Sequence, residues 1–380
     1  MKKVLFVSTM AYTLDAFLLP YAYHFRNKGW QVDAAASNAS NHNACREAFN
    51  HIWDINWSRN PFDFKNLHRA SQEIQTLITR EGYDLVHVHT PIASFITRFA
   101  MRSRQQSRRP VIIYTAHGFH FHKGGRMISN GLFLNLEKVA GRWTDYLVTI
   151  NKEDYSAAGK HRIVSPERLK YIPGVGVDLK TYSPESMTKS DIALFRNNMG
   201  IDERDWLFLV IGELNRNKRP DLVIDAFAAL PTKKAHLVFL GEGYLRSRLR
   251  AQGERLNVLD RTHFLGFRSD VTTLLEVADS LILASQREGL PRSIMEALCL
   301  ERPCIGSDVR GTRDLLADGC GLIFKTNDQQ SLTQTMSWMI EHPEETKSMG
   351  KHGRQIMVNY DINHILKLHE ELYEEALAGH

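Results

Sequence analysis

The sequence predicts an α/β protein of two doubly wound domains facing each other across a cleft, and three observations carry that expectation. The chain has 380 residues, enough for two domains at roughly 150 each. Strand-length apolar runs alternate with helical patterns from one end to the other, as in parallel sheets covered by helices on both faces. The alternation weakens between Pro173 and Arg204, where Gly174, Gly176 and Pro184 gather, as happens where few contacts cross between domains. The expected domains are 1–183 and 184–360, with a C-terminal helix over 361–380 packing back on the first.

Taken in order, Val4 to Val7 is the first strand. A helix over Asp15 to Lys28, closed by Gly29 at a C′ position, and a strand over Val32 to Ala36 complete one βαβ unit. Ile52 to Trp57, a helix over Asn66 to Thr79, Asp84 to Val88, a basic helix from Ile92 to Arg104, Val111 to Tyr114, Tyr146 to Ile150 and Leu169 to Ile172 bring this half to about six strands. The second half opens at Trp206 to Ile211. It continues through a helix over Pro220 to Ala229, His236 to Leu240, a helix over Tyr244 to Arg255, Thr262 to Leu265 and a helix over Val271 to Ala278. Ser280 to Ala284, a helix from Pro291, Pro303 to Gly306, Gly321 to Phe324 and terminal helices complete it. In such sheets ligands bind beyond the carboxyl ends of the strands, so two facing sheets would share a site between them.

Composition removes several function classes. A 43% hydrophobic content with 12 prolines is ordinary for a globular chain, and the excess of Lys+Arg 48 over Asp+Glu 43 leaves +5, too thin a surplus to coat nucleic acid. Behind Met1-Lys2-Lys3 only Val4 to Val7 are apolar before Ser8 and Thr9, too short for a signal-peptide core or a membrane span, so a cytoplasmic protein is expected. Cys45, Cys299, Cys304 and Cys320 form no Cys-x-x-Cys pair and are expected to be reduced and buried.

The stretch Ser285-Gln286-Arg287-Glu288-Gly289-Leu290-Pro291-Arg292-Ser293-Ile294-Met295-Glu296 follows a strand directly. Proline is pre-organised for a first helical turn, so free amides and the positive dipole end around Gly289 to Arg292 make an anion site fit for a diphosphate. Glu288 meets it from the loop, and Glu296 leans back towards it from inside the helix. Spacing alone favours a plainer reading, a carboxylate serving the dipole and another on a solvated face.

The surrounding pattern changes that balance. Glu288 with Glu296 eight positions on, followed by Glu301-Arg302-Pro303-Cys304-Ile305-Gly306-Ser307-Asp308-Val309-Arg310-Gly311, resembles the Glu-x7-Glu segment of the retaining glycosyltransferases of family 4, which have the two-Rossmann GT-B architecture. Asp84 to Pro91 resembles that family's Asp-x-x-His-x-His strand, Thr115-Ala116-His117-Gly118 its central His turn, and Gly266 with Asp270 its Phe-x-Gly-x-x-x-Asp segment. Gly212 to Asn215 and Thr115 to His120 look most like bacterial exopolysaccharide and capsule enzymes.

The resemblance implies that Glu288 holds donor-sugar hydroxyls, that the amides of Gly289 and Leu290 hold diphosphate and sugar, and that Glu296 binds the ribose hydroxyls. Lys218 matches the family's diphosphate lysine. The arginine that should precede it is replaced by Glu213, and Arg219 stands at the usual glycine; Arg216 is the nearest candidate for the missing charge. His117 is implied to contact the donor sugar or to help set up the acceptor, and the backbone near Phe267 and Arg268 to recognise the base. The first loop, Ser8 to Tyr12, lacks the glycine pair many members carry, and His87 and His89 are read as pointing one to the cleft and one into the packing.

The implied activity is transfer of a hexose or N-acetylhexosamine from a nucleoside diphosphate sugar, a UDP-sugar first among them, to a glycan or polyprenyl-diphosphate-linked acceptor, with retention at the anomeric carbon. The chain contains no Asp-x-Asp triplet, so no metal and no other cofactor is expected; Lys218, nearby arginines and helix amides would meet the diphosphate charge. Arg98, Arg102, Arg104, Arg108 and Arg109 beside Phe95, Ile96 and Phe99 suggest a basic face for peripheral contact with the inner membrane surface. A nucleotide-sugar epimerase of the same fold and a non-catalytic nucleotide-sugar-binding partner are the alternative readings.

Overall fold

The computed structural model describes residues 1–58, 63–103, 109–184 and 187–379. The chain divides into two compact units, Met1–Gly176 with Ile362–His380, and Val177–Asp361.

The first unit is a seven-stranded parallel sheet in the order β3-β2-β1-β4-β5-β6-β7. Its strands are β1 (Lys3–Met10), β2 (Gln31–Ser37), β3 (Ile52–Asp54), β4 (Leu85–His89), β5 (Val111–Ala116), β6 (Tyr146–Thr149) and β7 (Leu169–Tyr171). Each of the seven strand segments named in the sequence of this half forms, β3 and β7 as three-residue edge strands. Val4 to Val7 are wholly buried, which is why the central strands read as unbroken apolar runs. The chain runs outward through β2 and β3, then returns to β4 beside β1, so the crevice where strand order reverses lies between β1 and β4.

Local chemistry sets the helices. Phe64–Glu81 starts where the Asp63 carboxylate accepts from the Asn66 amide and ends at Gly82, with φ 64°. The expected helix from Asp15 instead begins at Ala11 and contains a π-helical turn, Leu14–Leu18, ahead of Leu19–Asn27. Pro20 cannot donate to the turn before it, and the widened turn accommodates the missing bond. The supposed first loop is therefore absent: β1 runs to Met10 and the helix starts at the next residue. The helix after β4 spans Pro91–Ala100, shorter than expected.

The second unit is a six-stranded parallel sheet, β10-β9-β8-β11-β12-β13. Its strands are β8 (Trp206–Ile211), β9 (Ala235–Leu240), β10 (Thr262–Gly266), β11 (Ser280–Leu283), β12 (Cys304–Ser307) and β13 (Gly321–Phe324). Its reversal crevice lies between β8 and β11. The chain enters this unit at Val177, not at residue 184. Val177 is buried in its core and donates its amide to Tyr360 O at 3.0 Å, and Leu179 and Tyr182 pack against the same core. The weakly patterned stretch also holds a helix, Lys189–Asn198, started by a reciprocal Thr188–Asp191 capping box.

The C-terminal helix, Ile362–Ala378, belongs to the first unit, where Tyr373 stacks on Phe25 at 4.8 Å. All four cysteines are buried and unbridged.

Candidate functional site

The two loops flanking the β8–β11 crevice carry the residues singled out in the sequence. β8 ends at Gly212, with φ 142°, and a Cβ there would stand 3.3 Å from Lys218 Cε. The loop from Gly212 folds back so that Lys218 donates from Nζ to Glu288 Oε1 at 2.6 Å. Both side chains are largely buried, at 25% and 13% exposure. Cross-loop bonds fix the register: the Gln286 amide donates to Asn217 O at 2.8 Å, and Asn217 Nδ2 donates to Arg287 O at 3.1 Å. The expected lysine and carboxylate thus meet as an ion pair at the carboxyl ends of the two switch-point strands.

Behind Glu288 the backbone is held from a third loop. Arg310, buried, donates from Nε to Glu288 O at 3.1 Å, and Ser307 Oγ donates to Ser285 O at 2.5 Å. Gly311 sits at φ 73° so close to the Gly289 peptide that a Cβ would lie 2.0 Å from Gly289 O. Only glycine fits both the conformation and the space. Arg310 and Gly311 stand within the 301–311 motif, but their supporting role is not legible from the motif.

The helix after this loop is Arg292–Cys299, with Pro291 at its N-cap position and no side chain capping it. Its first amides are therefore presented at the loop, with the half-buried Gly289 and Leu290 just ahead. Glu296 is buried one turn inside; its Oε1 accepts from Tyr182 Oη at 2.8 Å and forms an ion pair with Arg292, whose Nε stands 2.8 Å away. Burial raises the Glu296 pKa, and Arg292 and Tyr182 act in the opposite direction. Neither partner is signalled by the Glu-x7-Glu spacing. Arg292 lies at helical i,i+4 distance and was within reach of sequence reasoning; Tyr182 comes from the linker and was not.

Arg216 is exposed, and its amide donates to Tyr244 Oη at 3.1 Å. Glu213 is also exposed and accepts from Asn215 Nδ2 at 2.9 Å. Arg219 is drawn off to Asp221 and Asn327. Beyond β10, Phe267 is 82% exposed, and Arg268 is tied to Asp270 with Nε 2.7 Å from Oδ1. Gly212 and Gly241 follow β8 and β9 directly and Gly266 ends β10, all at positive φ; a Cβ on Gly241 would lie 2.1 Å from Gly212 O. These strand ends approach through bare backbone.

In the first unit, His117 follows β5 and precedes Gly118, at φ 123°. Its Nε2 lies 2.9 Å from His89 Nδ1, so one ring donates to the other. His87 and His89 do not split between two faces: residues two apart on a strand share one face, and their rings lie 4.2 Å apart. His87 bonds Tyr373 Oη at 2.5 Å and Thr115 Oγ1 at 2.7 Å, and His369 closes the cluster 5.8 Å from His87. Burial pushes the His117 and His369 pKa values from 6.5 down to about 4, and those of His87 and His89 well below the ordinary value. His117 is therefore a neutral hydrogen-bonding group at pH 7. At the crevice of this unit the Thr9 amide donates to Thr90 Oγ1 at 2.9 Å. Thr90 itself is held at φ 62°, a strained conformation for a β-branched residue.

Among the described residues, Arg98 and Arg109 enter ion pairs of the first unit instead of standing on the basic face expected over Arg98 to Arg109. Arg98 is 1% exposed, lies 4.1 Å from the Tyr114 ring centroid and donates to Glu137 Oε2 at 3.1 Å. Arg102, just beyond the end of the helix, stacks on Phe99, and Arg109 binds Asp145 at 2.9 Å. Arg104 and Arg108 lie outside the described residues. The apolar side of this helix fits the core, and Arg98 goes inward with it because Glu137 neutralises it there. No helix among the described residues is long and apolar enough to cross a membrane.

Residues 19–180 match the family model described as Glycosyltransferase Family 4, and residues 191–356 the model described as Glycosyl transferases group 1. The chain is 34% identical over 365 residues to the Bacillus subtilis protein named glycosyltransferase EpsD, covering 94% of this chain and 93% of that one. It is 27% identical over 289 residues to an Escherichia coli UDP-Gal:alpha-D-GlcNAc-diphosphoundecaprenol alpha-1,3-galactosyltransferase, covering 74% and 73%. Among solved structures, Anabaena HepE in complex with UDP and glucose superposes with a TM-score of 0.82 at 20% identity, covering 99% of this chain and 100% of that one. With two doubly wound units, a family match on each and a relative alike along nearly its whole length, the chain belongs to glycosyltransferase family 4 and has the GT-B fold.

Proposed function

We propose that this glycosyltransferase moves a hexose or N-acetylhexosamine from a UDP-sugar to a polyprenyl-diphosphate-linked or glycan acceptor in exopolysaccharide synthesis, with retention at the anomeric carbon. The observation that carries the reading is the Lys218–Glu288 pair set against an uncapped helix start at the second unit's switch point. A lysine with a helix start that no side chain caps is chemistry for a diphosphate whose charge grows as the nucleotide departs. Displaced from Lys218 by that diphosphate, Glu288 accepts hydroxyls of the donor sugar, and Glu296, anchored by Tyr182 and Arg292, accepts those of the ribose. His117, neutral at pH 7, gives or takes a hydrogen bond to a sugar hydroxyl without bringing charge to it. Two relatives named for transfer to diphosphoundecaprenol-linked acceptors support the acceptor class. The donor set is cationic and amide-based, so transfer is expected to need no divalent ion.

The test incubates the full chain with UDP-sugars and a polyprenyl-diphosphate-linked sugar, with EDTA or magnesium, and reads the new linkage by NMR. Retained anomeric configuration and a rate in EDTA within about twofold of that in magnesium are expected, and Lys218→Met should lower kcat/KM by about a hundredfold or more. An inverted linkage, dependence on the metal, or conversion of the donor sugar without acceptor, as an epimerase would give, refutes the reading.

A further inference from the structure

We propose that His89 is a positioning residue: by donating from Nδ1 to His117 Nε2 it holds His117 as the tautomer with its proton on Nδ1, so that His117 gives a hydrogen bond to a substrate hydroxyl. The assignment rests on the proposed contact between His117 and a sugar hydroxyl, and adds its direction. The register of β4 on β5 pairs His89 with Thr115, so His117, two residues further on, comes within reach of the His89 ring. A neutral imidazole carries one N–H and one lone pair, and the bond made by one nitrogen decides which of these the other presents. His117 Nε2 stands 2.9 Å from His89 Nδ1, and burial keeps both rings neutral at pH 7. Two arrangements are open. Either His89 donates, which leaves a lone pair on its own Nε2 and a proton on His117 Nδ1, or His117 donates, which leaves an N–H on His89 Nε2 and a lone pair on His117 Nδ1.

His89 Nε2 decides between them. This atom is sealed from solvent and has no hydrogen-bond partner. His89 as a whole is 2% exposed, and rings surround it: Phe6 stacks at 6.0 Å and His87 lies at 4.2 Å, with both nitrogens of His87 already committed to Tyr373 and Thr115. A buried N–H left without an acceptor is rarer in folded proteins than an acceptor left without a donor. The first arrangement places only a lone pair there, so His89 is the donor. His117 Nε2 then accepts, and the His117 proton sits on Nδ1. The two nitrogens of an imidazole point in different directions, so with Nε2 turned to His89, Nδ1 is turned away from the cluster. His117 is half-buried, and its Nδ1 has no hydrogen-bond partner among the described residues. The nitrogen left for a ligand is therefore a donor. It binds a hydroxyl through the oxygen and does not serve as a base for that hydroxyl's proton.

Full-length protein carrying isotope-labelled histidine nitrogens is studied by NMR at pH 7, with the His117 signals identified by their loss in His117→Gln. A protonated Nδ1 and a bare Nε2 on His117 are expected in the wild type. His89→Asn can place an amide N–H where Nδ1–H stood, so it should keep that tautomer and a kcat within about threefold of wild type. His89→Leu should lose the tautomer and lower kcat by about tenfold or more, while KM for the UDP-sugar moves less than about twofold. A packing role alone would favour leucine over asparagine in this apolar surrounding, so the order of the two variants separates the roles. A protonated Nε2 on wild-type His117, or a leucine variant as fast as wild type, overturns the inference; if the leucine variant does not fold, the wild-type spectrum decides by itself. A wild type that shows the Nδ1 proton but transfers no sugar leaves the tautomer standing and removes the transferase reading, and transfer with the proton on Nε2 does the reverse.

Discussion

The buried histidine cluster of the first unit makes acid a specific stress. His87, His89, His117 and His369 face one another with Tyr21, Tyr373 and Thr115; burial is the largest influence on the protonation of each, reinforced by neighbouring rings at His87, His89 and His117 and opposed at His369 by its bond to Ile365 O. Folded pKa values near 4 for His117 and His369, against 6.5, mean that the unfolded chain binds their protons first. Their stabilising contribution is complete above 6.5, is lost as pH falls towards 4, and falls no further below that. Between pH 7 and pH 5 each of the two costs about 2 kcal/mol, or about 4 kcal/mol for the pair. Four of the six tryptophans, Trp30, Trp53, Trp57 and Trp143, are in the first unit, so urea unfolding followed by fluorescence reports mainly on it. Carboxylates also titrate in this range, so the discriminating quantity is the difference between wild type and His369→Leu. The variant should lose about 2 kcal/mol less than wild type from pH 7 to pH 5. Equal losses in the two proteins would refute the idea that the cluster is held neutral by burial.

Gly311→Ala should remove the thermal shift given by UDP-sugar and destabilise the second unit by about 2 kcal/mol or more, because a Cβ at φ 73° would collide with Gly289 O; calorimetry with and without UDP-glucose checks both. Arg98→Ala should cost about 3 kcal/mol in urea unfolding, since it leaves Glu137 without its buried partner.

The strands were legible because they are buried on both faces. Trp206 to Ile211 and Ala235 to Leu240 run as the apolar sequence does, and helix starts at Pro220 and beside Pro291 follow from proline geometry. What escaped was decided by tertiary partners. The helix Met127–Gly141 has so much of its apolar surface outside that no inward stripe separates from an outward one in the sequence. The linker lost its regular pattern after Pro173, yet Val177, Leu179 and Tyr182 are already anchored in the second core, which moves the boundary seven residues towards the N-terminus. Arg98 reads as a solvated charge until Glu137, thirty-nine positions on, is placed against it.

The site divides along the same line. Lys218, Glu288 and Glu296 could be chosen from motif order, but what each side chain is doing depends on residues those motifs do not single out. Lys218 and Glu288 neutralise each other, so neither is left as a lone charge at the crevice. On the proposed function, a diphosphate would take Glu288's place at Lys218 and release the carboxylate to accept hydroxyls when the anion arrives. Glu296 has no such freedom, because Tyr182 and Arg292 both hold one of its oxygens. The two glutamates eight residues apart are therefore different devices, one exchangeable and one fixed, and that difference follows from Lys218, Tyr182 and Arg292 rather than from their spacing.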